Sequence, residues 1–118
     1  MKKYFKKLAA LCVTAYAKRI YKQAVDLAEL KYKEYPDMYF IIDDPRGNGK
    51  LMCIDVGQFL ELRHRYNIPS KKLPISSLKK GCWYHTKSKN GKDALLQSEI
   101  DRRMHAFIRD ALHRAKLL

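Results

Sequence analysis

The residues of this chain whose types and spacing could do chemistry fall into three groups. They are a Cys-x-x-His pair, Cys82 and His85; three aspartates, Asp43, Asp44 and Asp55; and the loop Arg46-Gly47-Asn48-Gly49-Lys50. Cys and His together ligate zinc, clustered carboxylates hold Mg²⁺ for phosphoryl chemistry, and glycine-rich backbone with lysine cradles phosphate. None of the three is complete. Cys82-Trp83-Tyr84-His85-Thr86 is composed like a strand, where positions three apart point to opposite faces and do not converge on one ion. The same geometry parts a cysteine nucleophile from a histidine base, so Cys53 and Cys82 read as small buried hydrophobes. His105 and His113 lie two turns apart on a predicted helix and read as solvent or interface residues, and His64 stands alone.

Asp44 is a turn former and Asp55 a helix cap, which accounts for both without a metal. Pro36-Asp37 matches the opening of a common nuclease signature, but no acid-x-Lys element follows at a workable distance. The glycine loop leads into Leu51-Met52-Cys53, whereas a P-loop leads into a helix and ends in Lys-Ser or Lys-Thr. The expectation is a protein that is not an enzyme, with no metal and no cofactor.

What the sequence does supply is charge. With 25 basic and 12 acidic residues the net charge is +13, and its distribution is uneven. Residues 67–92 hold seven lysines (Lys71, Lys72, Lys79, Lys80, Lys87, Lys89 and Lys92) and no Asp or Glu. Residues 1–34 hold nine basic and three acidic residues, and the remaining stretches nearly balance. Such a field attracts phosphate, acidic proteins or anionic membrane. Lys2, Lys3, Lys6 and Lys7 occupy the first turns of a predicted helix, where the macrodipole makes each cation cost roughly 0.3 kcal/mol or more, so local stability does not explain them. Lys18, Arg19 and Lys22 follow among Tyr16, Tyr21, Tyr32 and Tyr35, aromatics that either stack on unpaired bases or belong to the core. Lysine outnumbers arginine 17 to eight, which favours attraction to backbone phosphate over bidentate reading of bases. No helix-turn-helix, zinc-finger or RNP pattern is present.

The elements that must position these residues follow from periodicity and breakers. From Lys2 to about Glu34 there is no Gly or Pro, and Phe5, Ala9, Val13, Tyr16, Ile20, Ala24, Leu27 and Leu30 recur at steps of three and four, which predicts a long helix that protrudes or bends. Leu8, Leu11 and Cys12 lie beside that stripe, so the segment 8–17 is apolar nearly all round and needs cover on more than one side. Phe5, Leu8, Leu11, Cys12, Val13 and Tyr16 are therefore the candidate protein interface. Met38–Asp43 and Lys50–Asp55 predict a hairpin, and Asp55 with Gln58 forms the capping box of a helix running through Tyr66. Ser76–Lys80 predicts one helical turn closed by Gly81. A third strand follows over 82–86, then a last helix from Ser98 with the stripe Ile100, Met104, Phe107, Ala111 and Ala115. The stretch 86–92 reads as mobile.

These elements give an α+β fold in the order αββαβα, a small antiparallel sheet covered by helices, within a single domain over 1–118. Three widely spaced cysteines argue against a disulfide framework and for a reducing compartment. The N-terminal lysines and the A-x-A shape of Ala15-Tyr16-Ala17 imitate a secretory signal, yet the helical pattern continues well past it. The expectation is an intracellular protein, cytoplasmic or within a nucleoprotein particle, and not secreted. It would bind nucleic acid or an acidic protein surface with little sequence specificity. The alternative is a structural subunit of a virion or similar assembly, packing on other subunits through its long helix; membrane association is not expected.

Overall fold

The computed structural model describes residues 2–47 and 49–118, with the side chain of Lys2 outside the described set. Seven elements follow one another: α1 (Lys2–Glu34), β1 (Phe40–Asp43), β2 (Leu51–Ile54), α2 (Val56–Arg65), α3 (Ile75–Gly81), β3 (Tyr84–His85) and α4 (Gln97–Arg114). The α+β class and the order of the elements agree with the sequence, with α3 formed as a full helix of seven residues. The chain divides into two compact units, one made of the residues up to Gln23 together with Leu96–Leu118, the other of Ala24–Leu95.

In the second unit β1 is the central strand of an antiparallel sheet ordered β2-β1-β3. The register sets Phe40 opposite Ile54 and His85, and Ile41 opposite Cys53 and Tyr84. Because side chains alternate across a strand, Phe40, Ile42, Ile54 and Met52 share one face. That face carries the core of Met38, Phe40, Ile54, Phe59, Leu78 and Cys82, covered by α2 and α3. The opposite face, with Ile41, Cys53 and Tyr84, looks onto the last turns of α1, where the Tyr84 hydroxyl donates to the Glu29 carboxylate and Ala28 is wholly buried. The hairpin turn is closed by Asp44, whose carboxylate accepts from the Arg46 backbone N–H at 3.0 Å and pairs with its guanidinium at 2.7 Å. Gly47 and Gly49 there take positive φ, 71° and 75°, which a side chain would resist. The Asp55 carboxylate accepts from Gln58 N–H at 2.8 Å while Gln58 Oε1 accepts from Asp55 N–H, so the capping box forms.

In the first unit α1 and α4 pack together, with the Tyr21 and Phe107 rings 5.8 Å apart and both nearly inaccessible. The covered side of α1 runs Ala10, Thr14, Ala17, Tyr21 and then Ala24 and Ala28, at steps of four and three. This corrects the stripe predicted from hydropathy: Phe5, Ala9, Tyr16, Leu27 and Leu30 are exposed. The inward face is mixed in size, with Ala10, Thr14 and Ala17 in line with the buried Tyr21 ring. In α4, Ile100, Met104, Phe107 and Ala111 lie inward, with Arg103 buried among them and held by Glu99 at 3.0 Å, while Ala115 lies past the helix end and is exposed. The helix begins at Gln97, one residue before the predicted cap. Ser98 makes no side-chain cap because Leu96 O already accepts from Glu99 and Ile100 N–H, and Asp101 is taken by Gln97 Nε2 at 3.0 Å.

Candidate polyanion-binding surface

The lysine-rich segment 67–92 is tied to the sheet unit at intervals. Its first turn closes where Lys72 N–H donates to Pro69 O at 3.0 Å. Arg63 on α2 donates to Leu73 O at 3.0 Å, and Leu73 packs against the core. Lys71 and Lys72 project from that turn into solvent. Next, Leu78 anchors α3 in the core, leaving Lys79 and Lys80 in its last turn. There the carbonyl end of the helix favours cations, the reverse of the situation at the start of α1. Gly81 is the last helical residue rather than its terminator. Cys82 is the C-cap and lies outside the third strand, which is shorter than predicted.

The stretch 86–92, expected to be mobile, is the most firmly stapled part of the segment. Thr86 is 1% exposed; its hydroxyl accepts from Tyr39 N–H at 3.0 Å and faces the carbonyls of Asp37 and Lys87. Ser88 N–H donates to Lys92 O at 2.7 Å, Gly91 turns at φ 76°, and the Tyr32 hydroxyl donates to Ser88 O at 3.0 Å. Composition misled here because a single buried threonine, invisible to composition, fixes the strand exit. The ion pair of Lys79 with Asp93, 3.8 Å, joins this loop to α3, so Lys79, Lys80, Lys87, Lys89 and Lys92 belong to one connected region. Lys80, Lys87, Lys89 and Lys92 are exposed. Lys89 also borders a shallow cleft lined by Tyr35, Pro36, Asp37, Tyr39 and Asp55, and Tyr35 there is 75% exposed. The Tyr39 hydroxyl in this cleft is pushed up, first by burial and then by the Asp37 carboxylate.

The remaining candidate cations sit on α1. Lys3, Lys6, Lys7, Lys18, Arg19 and Lys22 are all exposed, and among the described residues no ion pair engages them. Lys2 is the one candidate whose side chain lies outside the described set. Of the tyrosines weighed for stacking, Tyr16 and Tyr35 are exposed, Tyr32 is half-buried and bonded to Ser88, and Tyr21 is withdrawn into the packing with Phe107. Of the interface candidates, Phe5, Leu8, Leu11, Cys12 and Tyr16 are exposed; Val13 is half-buried at the edge of the covered side.

The groups with catalytic types are each engaged structurally. The opposite-face geometry assigned to Cys82 and His85 does not hold, since Cys82 lies off the strand and both pack near Phe40. What occupies them is backbone: Cys82 Sγ donates to Lys79 O, and His85 Nδ1 lies 2.9 Å from Thr86 O. Asp43 accepts from Trp83 Nε1 at 3.0 Å, Asp44 holds Arg46, and Asp55 caps α2. Among the described residues no three His, Cys, Asp or Glu side chains converge on a point that could hold a metal ion. His64, His105 and His113 are exposed. Burial pushes the Cys53 thiol up, away from a reactive thiolate. The Glu99 carboxyl is lowered to about 2, chiefly by hydrogen bonds from Arg102 and Arg103. Sequence reading passed over this cluster, although its i, i+3 and i, i+4 spacing made it legible.

Among the described residues no helix is long and apolar enough to cross a membrane. Compared with protein-family models, curated proteins and solved structures, the chain matches none.

Proposed function

We propose that this protein binds the phosphate backbone of nucleic acid through the lysines of 67–92, with little sequence preference. The observation that carries the reading is an acid-free run of lysines mounted on backbone that is stapled to a core, with Lys71, Lys72, Lys80, Lys87, Lys89 and Lys92 exposed. Backbone already ordered has little further entropy to lose when a polyanion arrives, and lysine heads suit phosphate oxygens better than base edges. Tyr35 beside Lys89 offers one aromatic face to an unpaired base.

The test is a salt series of binding to a short duplex and to a single strand of equal length. Binding should weaken linearly in log salt with a slope of about −0.9 per phosphate neutralised on duplex. The variant Lys71→Glu, Lys72→Glu, Lys87→Glu, Lys89→Glu should flatten that slope by roughly 2 or more. An unchanged slope would sink the assignment.

A second reading, a structural subunit that packs through α1, draws on a different observation. Tyr4, Phe5, Leu8, Leu11 and Tyr16 are 50–72% exposed along one helix, and large apolar side chains gathered on an open face suit contact with another protein.

A further inference from the structure

The uncovered side of α1 has an internal order. By helical spacing three rows run along it at steps of seven: Tyr4, Leu11, Lys18; Leu8, Ala15, Lys22; and Phe5, Cys12, Arg19. Each row is apolar for two positions and ends in a cation. These rows lie away from the Ala10, Thr14, Ala17, Tyr21 side, on which Tyr21 meets Phe107 of α4, and all nine of their residues are exposed. No Asp or Glu occurs between residues 2 and 25, which carry seven basic residues.

This order discriminates among occupants. A second copy laid parallel would set Lys18, Arg19 and Lys22 against their counterparts, opposing like charges, and laid antiparallel would set them against the partner copy's apolar row starts, which supply no carboxylate; neither arrangement brings an acid to the three cations. A flat lipid surface fits poorly as well, because Arg19 follows the line of Phe5 and Cys12 and would be driven toward the acyl region together with them, whereas interfacial helices keep cations on the polar flank. A helix with apolar residues at heptad spacing and carboxylates at one end satisfies both halves of the face.

Resting on the second reading above, we infer that the exposed face of α1 from Tyr4 to Lys22 docks an amphipathic helix of a partner protein. That helix places two heptads of apolar side chains against Leu8 and Leu11 and a cluster of Asp or Glu against Lys18, Arg19 and Lys22. The large side chains Tyr4, Phe5 and Tyr16 bracket the small Cys12 and Ala15, which leaves room for a side chain of the incoming helix.

The probes are synthetic 21-residue peptides with leucine at the a and d positions of two heptads and a third heptad rich in glutamate, placed at either end, together with counterparts carrying lysine instead. Binding is read by fluorescence anisotropy on the full chain. One glutamate orientation should bind at least tenfold more tightly than the others, and its binding should protect Cys12 from alkylation. Leu8→Ser with Leu11→Ser should weaken it at least tenfold while circular dichroism and the thermal midpoint stay put, since both leucines are exposed. The quadruple Lys→Glu variant of 67–92 should change it less than threefold, which separates this surface from the phosphate-binding one. Equal binding of the lysine peptides, or equal binding by the serine variant, overturns the inference. So does cosedimentation with phosphatidylserine vesicles that the serine variant loses, which assigns the face to lipid. Dimerisation that the serine variant abolishes overturns the acidic partner while leaving the assembly reading intact.

Discussion

The two basic regions of this protein carry similar charge on opposite kinds of support. The lysines of 67–92 ride on turns and a helix end that are fastened by Arg63, Tyr32 and Thr86 to a sheet with helices on both faces. Those of α1 stand on the exposed surface of a single helix, beside apolar rows that nothing in their own unit covers. In the first case tertiary packing has spent its side chains on positioning cations. In the second the helix has kept large apolar side chains out of its own core. Equal net charge therefore points to different partners, because a rigid cationic frame suits a rod-like polyanion while charge next to exposed leucine suits a protein surface.

The comparison breaks most visibly under core damage. Phe40→Ala removes a ring with no exposure at the centre of the sheet and should cost about 3–5 kcal/mol in urea unfolding. It should weaken polyanion binding with it, whereas Leu8→Ser should shift stability by no more than ~0.5 kcal/mol. Next in size, Lys71→Glu with Lys72→Glu should lower polyanion affinity by roughly tenfold or more at low salt. Lys3→Glu, Lys6→Glu and Lys7→Glu together should lower it less; an equal or larger effect of that triple would mean that the two regions share one ligand. Asp55→Ala should remove about 1 kcal/mol from the sheet unit by opening the capping box, measured as a lower denaturation midpoint with an unchanged slope.

The smallest effect sharpens the comparison through pH. Glu99 titrates near 4.5 when free and at about 2 in the fold, so its contribution is complete above 4.5 and is lost as pH falls through about 2. Glu99→Gln should flatten the thermal midpoint's fall over that window. At neutral pH it should lower the midpoint modestly, because Arg103, buried on α4, loses its carboxylate.

Much of the frame was legible in the sequence because its signals are local. Pro36 and the gap in periodicity after Glu34 end α1, Asp44, Arg46, Gly47 and Gly49 shape the hairpin turn, and Asp55 with Gln58 starts α2; each acts within a few residues of chain. The charge map is likewise a property of composition along the chain. Misplaced elements have a common origin in long-range contacts. Thr86 converts a polar stretch into a staple through Tyr39, 47 residues away. Cys82 leaves the predicted strand because Leu78, buried in the core, carries α3 on to Gly81.

By itself, then, the sequence determined that helices and strands follow in this order, that cations gather at 67–92 and in residues 2–25, and that no acid interrupts either run. Only the tertiary structure decided which side of α1 is covered. A helix apolar nearly all round over residues 8–17 offers several faces of similar hydropathy, and hydropathy cannot rank them. The fold turned inward the side that carries Ala10, Thr14, Ala17 and Tyr21, where Tyr21 meets Phe107 of α4, and left Phe5, Leu8, Leu11 and Tyr16 facing outward.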